Sequence, residues 1–164
     1  MTPSVIAYIG LGSNLEEPLS QLKSALLALD EAEKTQLIAN SGFYSSPPLG
    51  PKNQPDYTNA VAEIKTTLSP DQLLACCQNI ENKQGRQRSG ERWGARTLDL
   101  DILTYGEQII QQADLVIPHP GLSQRGFVLY PLLELTDQLN IKGLGSIQVM
   151  IDQLSDSKPS LIKA

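Results

Sequence analysis

The stretch "RWGARTLDLDILTYG", residues 92–106, places two aspartates in a segment that otherwise has the composition of a β-strand. We predict a strand over 97–105, with side chains alternating between the two faces of a sheet. One face is then apolar and carries Leu98, Leu100 and Ile102. The other face carries Asp99 and Asp101, with their Cα atoms about 6.6 Å apart. In our interpretation this strand completes the sheet that the preceding segments form.

Outward from this strand, the chain alternates between strand and helix patterns. The predicted elements before it are a strand over 5–11, a helix with Pro18 in its first turn, strands over 38–46 and 59–67, and a helix from Ser69 to near Gly85. The first helix is indicated by leucines at steps of three and four: Leu15, Leu19, Leu22, Leu26 and Leu29. The second begins with a capping-box pattern and has a predicted buried stripe of Leu73, Cys77 and Ile80.

The order of these elements predicts the fold class. A β-α-β-β-α-β order is typical of the ferredoxin-like arrangement, in which one antiparallel sheet carries two helices on one face. After the aspartate strand we expect a hairpin-like piece to Ile117, a helix over 127–135 interrupted at Pro131, and a short helix over 146–154. This C-terminal extension would cover the second face. We therefore predict an α+β, three-layer α/β/α protein with a single domain over residues 1–164.

Composition excludes several classes of protein. The 164 residues suit one domain, and the net charge of −5 argues against a general nucleic-acid coat. No cationic, apolar N-terminal segment and no run of about 18 apolar residues is found, so we expect neither a signal peptide nor a membrane span. We expect a cytoplasmic monomer, with Cys76 and Cys77 as free thiols.

A cluster of positive charge lies directly before the aspartates. Four of the five arginines fall within residues 86–96: Arg86, Arg88, Arg92 and Arg96. Together with Lys83 they oppose a single acid, Glu91, which gives a local charge of +4 over 82–98. Guanidinium groups match phosphate oxygens in geometry and charge. The alternative is a solvated loop held by salt bridges.

The aspartate pair predicts a metal site. Two carboxylates this close repel each other, and a divalent cation removes that repulsion. Mg²⁺ is commonly held by one or two carboxylates together with substrate phosphates, and two ions about 3.5–4 Å apart can share such a pair. The alternative is an exposed sheet face with two solvated aspartates. Following four arginines, the pair favours the phosphate interpretation.

No standard phosphate-binding loop offers another explanation. The segment "GLGSNL" has Gly10 and Gly12 but carries Leu15 where a dinucleotide fingerprint needs a third glycine, and no G-x-x-x-x-G-K-[ST] motif occurs. The residues themselves therefore predict a metal-dependent enzyme that acts on a polyphosphate without a Walker motif.

Other polar and aromatic residues suggest a second half of the site. Tyr57 and Asn59 share one face at a strand start, where a ring can stack and an amide can recognise a polar edge; the alternative is an anchor and a turn residue. Trp93 lies among glycines and arginines, where it can close over a ligand. His119 lies between two prolines and, with Arg125, either bonds a phosphate or is structural.

Four stretches resemble the 6-hydroxymethyl-7,8-dihydropterin pyrophosphokinase family of folate biosynthesis. They are "AYIGLGSNL", "FYSSPPLGPKNQPDYTNAV", "IENKQGRQRSGERWGARTLDLDIL" and "VIPHPGLSQRGFVLYPL", in family order from about residue 6 to 134. The combination of "RWGARTLDLDI" with "PHP…RGFVLYPL" is highly specific. Ser46 stands where threonine is common and Pro120 where some members have tyrosine, and the tail after Leu135 matches weakly.

The resemblance implies transfer of pyrophosphate from ATP to the hydroxymethyl oxygen of the pterin, leaving AMP, with two Mg²⁺ ions. The implied catalytic residues are Arg86, Arg96, Asp99 and Asp101, and the two aspartates are also the metal ligands. The implied ATP-binding residues are Gln78, Glu81, Arg86, Arg88, Arg92, Trp93, Arg96, Ile102, His119 and Arg125. The implied pterin-binding residues are Ser46, Pro47, Leu49, Tyr57, Asn59, Trp93 and Phe127.

Two other classes remain open from sequence. A palm-type nucleotidyltransferase or cyclase also places paired carboxylates on a ferredoxin-like sheet, but it releases pyrophosphate instead of AMP. A non-catalytic module such as an RNA-recognition sheet is disfavoured by the acidic charge and by the lack of its aromatic strand motif. We expect small-molecule substrates and neither a nucleic-acid nor a membrane partner.

Overall fold

The computed structural model describes residues 3–15, 17–47, 55–84, 98–136, 138–141, 144–154 and 158–162. In this part of the chain, an antiparallel sheet of six strands combines with four helices. The strands are β1 (Val5–Ser13), β2 (Thr35–Asn40), β3 (Phe43–Ser46), β4 (Tyr57–Thr66), β5 (Asp99–Tyr105) and, in two small hairpins, β6 (Ile110–Gln111), β7 (Val116–Ile117), β8 (Asn140–Ile141) and β9 (Gly145–Ser146), with β10 (Ser160–Ile162) last. The helices are α1 (Pro18–Glu31), α2 (Pro70–Lys83), α3 (Gly126–Leu135) and α4 (Ile147–Asp152). None of these helices is both long and apolar enough to span a membrane.

In the main sheet, β1 lies between β4 and β5, the two strands that carry Asn59 and the aspartate pair. Its order is β10-β3-β4-β1-β5, with β2 also paired to β4. The register sets Gly12 of β1 opposite Asn59 on one side and opposite Asp99 on the other. Gly10 is opposite Asp101. Directly opposite residues in a sheet point to the same face, so these side chains share one surface.

Two apolar clusters support the sheet from its two faces. The first joins alternate strand residues, among them Ile9, Ala62, Leu98, Leu100 and Ile102, to Leu22, Leu26, Leu29, Leu73 and Ile80 of helices α1 and α2. The second joins Tyr8, Val61 and Leu103 to Leu129, Leu132, Ile147 and Met150 of helices α3 and α4. The predicted apolar face of the aspartate strand is thereby confirmed.

Helix α2 begins as its sequence predicts. The hydroxyl of Ser69 accepts a hydrogen bond from the Gln72 N–H at 3.2 Å, and the side chain of Gln72 accepts one from the Ser69 N–H at 2.9 Å. Pro70 occupies the first turn, where its missing N–H costs no helical bond. The predicted stripe is buried in full: Leu73, Cys77 and Ile80. Cys76 and Cys77 are free thiols, as predicted.

The predicted strand over 38–46 is wrong as one element, because the chain breaks into β2 and β3 at Ser41 and Gly42. The Ser41 hydroxyl accepts a hydrogen bond from the Val61 N–H at 2.9 Å, in place of a ladder carbonyl. The Gly42 N–H donates to the carboxylate of Glu134 at 2.8 Å, in helix α3. Side-chain hydrogen bonds therefore join a backbone bond, from the Ser41 N–H to the Val61 carbonyl at 2.9 Å, at the point where β2 gives way to β3.

Other element boundaries also differ from expectation. Helix α1 begins at Pro18, so Leu15 lies outside it and is 37% exposed. The expected interruption at Pro131 is wrong, since α3 continues through this residue. Pro131 lacks the N–H that would bond within the helix, and its ring is buried in the same helix as Leu129 and Leu132. Residue 97, the predicted start of the aspartate strand, lies outside the described residues.

Candidate active site

A cavity of about 780 Å³ opens where β1, β3, β4 and β5 meet the start of helix α3. It is lined by Gly10, Leu11, Gly12, Ser46, Pro47, Tyr57, Asn59, Asp99, Asp101, His119, Pro120, Gly121, Gln124, Arg125, Phe127 and Val128. Residues that were predicted from the sequence to bind the metal, the nucleotide and the pterin therefore line the same cavity. The fold brings them together from four separate segments of the chain.

Two glycines of β1 form the part of the cavity between the outer strands. A Cβ atom on Gly12 would lie 3.2 Å from Oδ1 of Asn59, and one on Gly10 would lie 3.3 Å from a methyl carbon of Leu103. Such contacts are tight, so the missing side chains leave the strand surface open to a ligand. The sequence pattern did not predict this role, because the two glycines fit only an incomplete dinucleotide fingerprint. A Gly-x-Gly step inside a strand was the available signal, since it marks close approach.

The two carboxylates lie on β5, on one side of the β1 glycines. Asp99 and Asp101 both line the cavity, and the side chain of Asp101 is 46% exposed. Between them, the Leu100 N–H donates to the carboxylate of Glu81 in helix α2 at 2.8 Å. Two accessible carboxylates with only oxygen donors are the type of ligand that Mg²⁺ prefers. The residues present therefore fit the metal that the aspartate spacing predicts.

On the other side of β1, strand β4 contributes a buried amide and an aromatic ring to the cavity. Asn59 is 4% exposed, and its Nδ2 donates to the hydroxyl of Ser46 at 2.6 Å. This bond holds the amide in place, and its Oδ1 faces Gly12. Tyr57 and Phe127 also line the space. Flat rings beside a buried amide suit a flat heterocycle with hydrogen-bonding edges.

His119 lies beside the carboxylates. Its Nδ1 accepts a hydrogen bond from the Gly121 N–H at 3.1 Å, so in the neutral ring the proton is on Nε2. That Nε2 lies 3.8 Å from Oδ1 of Asp101. Burial lowers the pKa of His119; the Asp101 charge opposes this shift and Arg125 adds to it. The ring is therefore kept as a neutral hydrogen-bond donor directed into the cavity.

Arg125 packs over the turn that carries His119. A Cβ atom on Gly121 would lie 2.6 Å from Nε of Arg125, so the absent side chain makes room for the guanidinium group. The Cζ of Arg125 lies 5.9 Å from the centre of the Phe127 ring. Gly121 and Gln124, which also line the cavity, were not among the predicted site residues. Both lie inside the stretch "VIPHPGLSQRGFVLYPL" that carries the resemblance, but the residue types themselves indicated no role.

Three predicted nucleotide-binding side chains do not line the cavity. Gln78 is exposed on helix α2, Glu81 is buried against the backbone of β5, and Ile102 is part of the first apolar cluster. A further set lies outside the described residues: Leu49, Arg86, Arg88, Arg92, Trp93 and Arg96. The roles of both sets stay predictions.

Comparison with known proteins gives a consistent family. A family model described as 7,8-dihydro-6-hydroxymethylpterin-pyrophosphokinase (HPPK) matches residues 8–137. The 2-amino-4-hydroxy-6-hydroxymethyldihydropteridine pyrophosphokinase of Haemophilus influenzae is 51% identical over 154 residues, 94% of this chain and 96% of that protein. The protein of the same name from Bacillus subtilis is 41% identical over 134 residues, 82% of this chain and 80% of that protein.

Solved structures support the fold. The HPPK-DHPS protein of Plasmodium falciparum with pteroate superposes with a TM-score of 0.73 at 14% sequence identity, covering 93% of this chain. This chain spans 43% of that larger one. At such identity the likeness concerns the fold alone, and the family assignment rests on the family model and the sequence relatives. The chain therefore belongs to the 7,8-dihydro-6-hydroxymethylpterin-pyrophosphokinase family and is an enzyme of that kind.

Proposed function

We propose that this enzyme transfers the pyrophosphoryl group of ATP to the hydroxymethyl oxygen of 6-hydroxymethyl-7,8-dihydropterin, leaving AMP, with two Mg²⁺ ions. The observation that carries the proposal is one cavity lined by the aspartate pair of β5 on one side of β1, by the buried amide of Asn59 on the other side, and by the rings of Tyr57 and Phe127. The aspartate pair suits a phosphate chain with its metal ions, and the amide with the rings suits a flat heterocycle. Their reacting atoms then meet over the glycines of β1.

The pterin occupies the part of the cavity lined by the amide and the rings. Tyr57 and Phe127 hold its faces, and the oriented amide of Asn59 recognises its polar edge. Ser46 and Pro47 contribute to the wall, and we extend this wall to Leu49 and Trp93 from the family resemblance. Because Asn59 is already fixed by Ser46, recognition of the edge needs no reorganisation of the amide.

The phosphate chain of ATP occupies the part of the cavity lined by the aspartate pair. Asp99 and Asp101 would hold the Mg²⁺ ions, which when bound neutralise phosphate charge and make the β-phosphorus more electrophilic. In the described part of the chain, no three His, Cys, Asp or Glu side chains gather as a metal site, so substrate and water oxygens would supply the other ligands. His119 donates from Nε2, and the Arg125 guanidinium adds positive charge.

The arginine-rich segment would complete the phosphate contacts. It precedes β5 in sequence, and its two ends, Gln84 in the C-cap of α2 and Leu98 before β5, are both described. We assign Arg86 and Arg96 to the transferring phosphates, and Arg88, Arg92 and Trp93 to the nucleotide, as the resemblance implies. Gln78 and Ile102 stay candidates for the nucleotide side.

The reaction conserves atoms and charge in a single displacement. The hydroxymethyl oxygen forms a bond to the β-phosphorus, the bond between this phosphorus and the α-phosphate oxygen breaks, and the hydroxyl proton passes to solvent. AMP carries away the bridging oxygen. Orientation and charge neutralisation dominate such transfers, so no side chain has to be a strong base. His119, kept neutral, positions a phosphate oxygen through its N–H.

Product analysis tests the proposal against its main alternative. The enzyme is incubated with ATP, Mg²⁺ and 6-hydroxymethyl-7,8-dihydropterin, and the nucleotide products are separated by chromatography. We expect AMP and the pterin diphosphate in equal amounts. Release of free pyrophosphate with a nucleotidyl product would instead support a palm-type nucleotidyltransferase. Absence of any pterin-dependent ATP turnover would support a binding module.

The fold class, the single domain, the oligomeric state and the cellular location are also part of this proposal. We infer the ferredoxin-like class with helices on both faces, supported by the sheet order β3-β4-β1-β5 and by the two apolar clusters. We also keep the expectations of a single domain over 1–164, a monomer and a cytoplasmic location. Size-exclusion chromatography with light scattering tests the monomer directly.

A further inference from the structure

A buried carboxylate contacts the backbone between the two aspartates of β5. Glu81 lies in the last turns of helix α2 and is 6% exposed. Its Oε2 accepts a hydrogen bond from the Leu100 N–H at 2.8 Å. Glu81 does not line the cavity. A carboxylate in this place is unusual, because buried acids are costly unless they accept strong hydrogen bonds.

The position of β5 in the sheet explains why such a contact matters. β5 ends the strand order, so its backbone pairs with β1 on one side only. On β5, the Leu103 carbonyl accepts a bond from the His119 N–H at 3.0 Å, and the Leu100 N–H is held by Glu81. Both contacts come from outside the sheet. They fix an edge strand whose path would otherwise depend on a single neighbour.

We propose that Glu81 is a positioning residue for the metal site, which holds Asp99 and Asp101 in register through the Leu100 N–H. The Leu100 N–H shares a rigid peptide plane with the Cα atoms of Asp99 and Leu100, so fixing this N–H sets the Cα of Asp99 directly. Asp101 follows one residue later on the same strand, so its position depends on the same anchored backbone. The proposal rests on the proposed metal-dependent function. It replaces a direct nucleotide contact by Glu81 with an action through the strand backbone.

Three substitutions separate the hydrogen bond from the charge. Glu81→Gln keeps an acceptor oxygen at the same reach and removes the charge. Glu81→Asp keeps the charge but shortens the side chain by one methylene, so the acceptor no longer reaches the Leu100 N–H. Glu81→Leu removes both. If the bond positions the strand, glutamine preserves metal binding, whereas aspartate and leucine weaken it.

Glu134→Leu is a matched control. Glu134 also accepts a backbone N–H, that of Gly42, at the same distance of 2.8 Å, and it lies outside the cavity. Its loss removes a carboxylate that accepts a backbone N–H far along the chain from the aspartates, together with the hydrogen bond that Glu134 accepts from the Tyr44 hydroxyl. We expect a lower melting temperature for this variant and an unchanged metal affinity.

The experiment is a Mn²⁺ titration of the full chain, followed by electron paramagnetic resonance, with α,β-methylene-ATP bound so that no turnover occurs. We expect Glu81→Leu and Glu81→Asp to raise the Mn²⁺ dissociation constants about 10–100-fold, the range typical for residues that orient metal ligands. Glu81→Gln should stay near wild type. Amide exchange at Leu100 should accelerate in the leucine and aspartate variants only. In turnover, kcat should fall and the Mg²⁺ requirement rise, with the pterin KM unchanged.

Several results would overturn the inference. Unchanged Mn²⁺ affinity in the aspartate and leucine variants would show that Glu81 only stabilises the fold. Equal loss in the glutamine variant would show that its charge acts, and weaker binding of the analogue without metal would show a nucleotide contact. If the leucine variant does not fold, the glutamine and aspartate pair decides. A wild-type enzyme that binds no Mn²⁺ with the analogue would contradict the proposed function itself.

Discussion

Gly12 lies between two parts of the site, opposite Asn59 on β4 and opposite Asp99 on β5. An added Cβ would meet Oδ1 of Asn59 at 3.2 Å, and this amide is buried and bonded to Ser46. The amide therefore has little freedom to move away. We expect Gly12→Ala to raise the pterin KM about tenfold, or about 1.4 kcal/mol of binding free energy. Steady-state kinetics with each substrate varied in turn checks this.

Gly126→Ala is the matched control for this substitution. Its Cβ would meet its nearest neighbour, a methyl carbon of Leu154, at 3.5 Å, an ordinary contact, and Gly126 is the first residue of helix α3. We expect kinetics close to wild type. An equal rise in the ATP and pterin KM values of Gly12→Ala would argue for general distortion of the sheet and against a role in pterin recognition.

The two aspartates are accessible enough to be replaced without harming the core. Because the Asp101 side chain is 46% exposed and both residues face the cavity, alanine leaves no buried void. We expect Asp99→Ala and Asp101→Ala each to lower kcat/KM about a thousandfold or more, as the loss of several kcal/mol of metal assistance implies. Melting temperatures should stay near wild type.

Asp114→Ala provides the comparison for these variants, since Asp114 is exposed and outside the cavity. It should keep full activity at every Mg²⁺ concentration. An Asp101→Ala enzyme with wild-type turnover and an unchanged Mg²⁺ requirement would contradict the metal assignment.

At the scale of single elements, helix α2 connects local sequence to the site. Its N-terminus is fixed by the Ser69–Gln72 capping box, and its later turns carry Cys77 toward the core and Glu81 toward β5. We expect Ser69→Ala to reduce the free energy of unfolding by about 1 kcal/mol, because one helix N–H loses its acceptor. Urea denaturation followed by circular dichroism measures the change.

Ser20→Ala tests whether this effect belongs to the cap. Ser20 is exposed within helix α1, where alanine has the higher helix propensity. We expect a neutral or slightly stabilising effect there. If both serine substitutions changed stability equally, the capping bond would not be the cause.

The elements that sequence predicted well are those whose causes are local. The capping box lies within four residues, and the alternation of Leu98, Asp99 and Leu100 needs only the two-residue period of a strand. The break at Gly42 could not be predicted, because its hydrogen-bond partner Glu134 is 92 residues away. Local signals therefore located the strands and helices, and distant contacts set where they bend or end.

In the candidate site, too, some residues could be predicted from the sequence and others could not. The charge-bearing residues Asp99, Asp101 and Arg125 could be identified from composition and resemblance. The glycines Gly10 and Gly12 matter through space that they leave empty, which only the register of β1 against its neighbours reveals. A glycine has no functional group, so the sequence alone does not indicate that the space beside it is needed for a ligand.

At the scale of the whole molecule, the cavity draws its walls from segments that are far apart in the chain. Strand β1 and the turn before helix α3 are more than one hundred residues apart, and both contribute lining residues. The sheet between them is held by the two apolar clusters, one on each face. Ligands that bridge these walls therefore bind the folded state and not the unfolded chain, which stabilises the protein by mass action.

This coupling predicts a metal-dependent thermal shift. With free α,β-methylene-ATP and Mg²⁺ at about 100 times the dissociation constant, the stabilisation is about 2.7 kcal/mol. For a chain of this size that corresponds to a rise of about 5–10 °C in melting temperature. Differential scanning fluorimetry should show this rise for wild type with Mg²⁺ and a much smaller one in EDTA. In the Asp101→Ala variant the part of the shift that depends on Mg²⁺ should be much smaller than in wild type, because one of the two carboxylate ligands is gone. A wild-type shift of the same size in EDTA would mean that the nucleotide binds without the metal, and the carboxylate pair would then need another role.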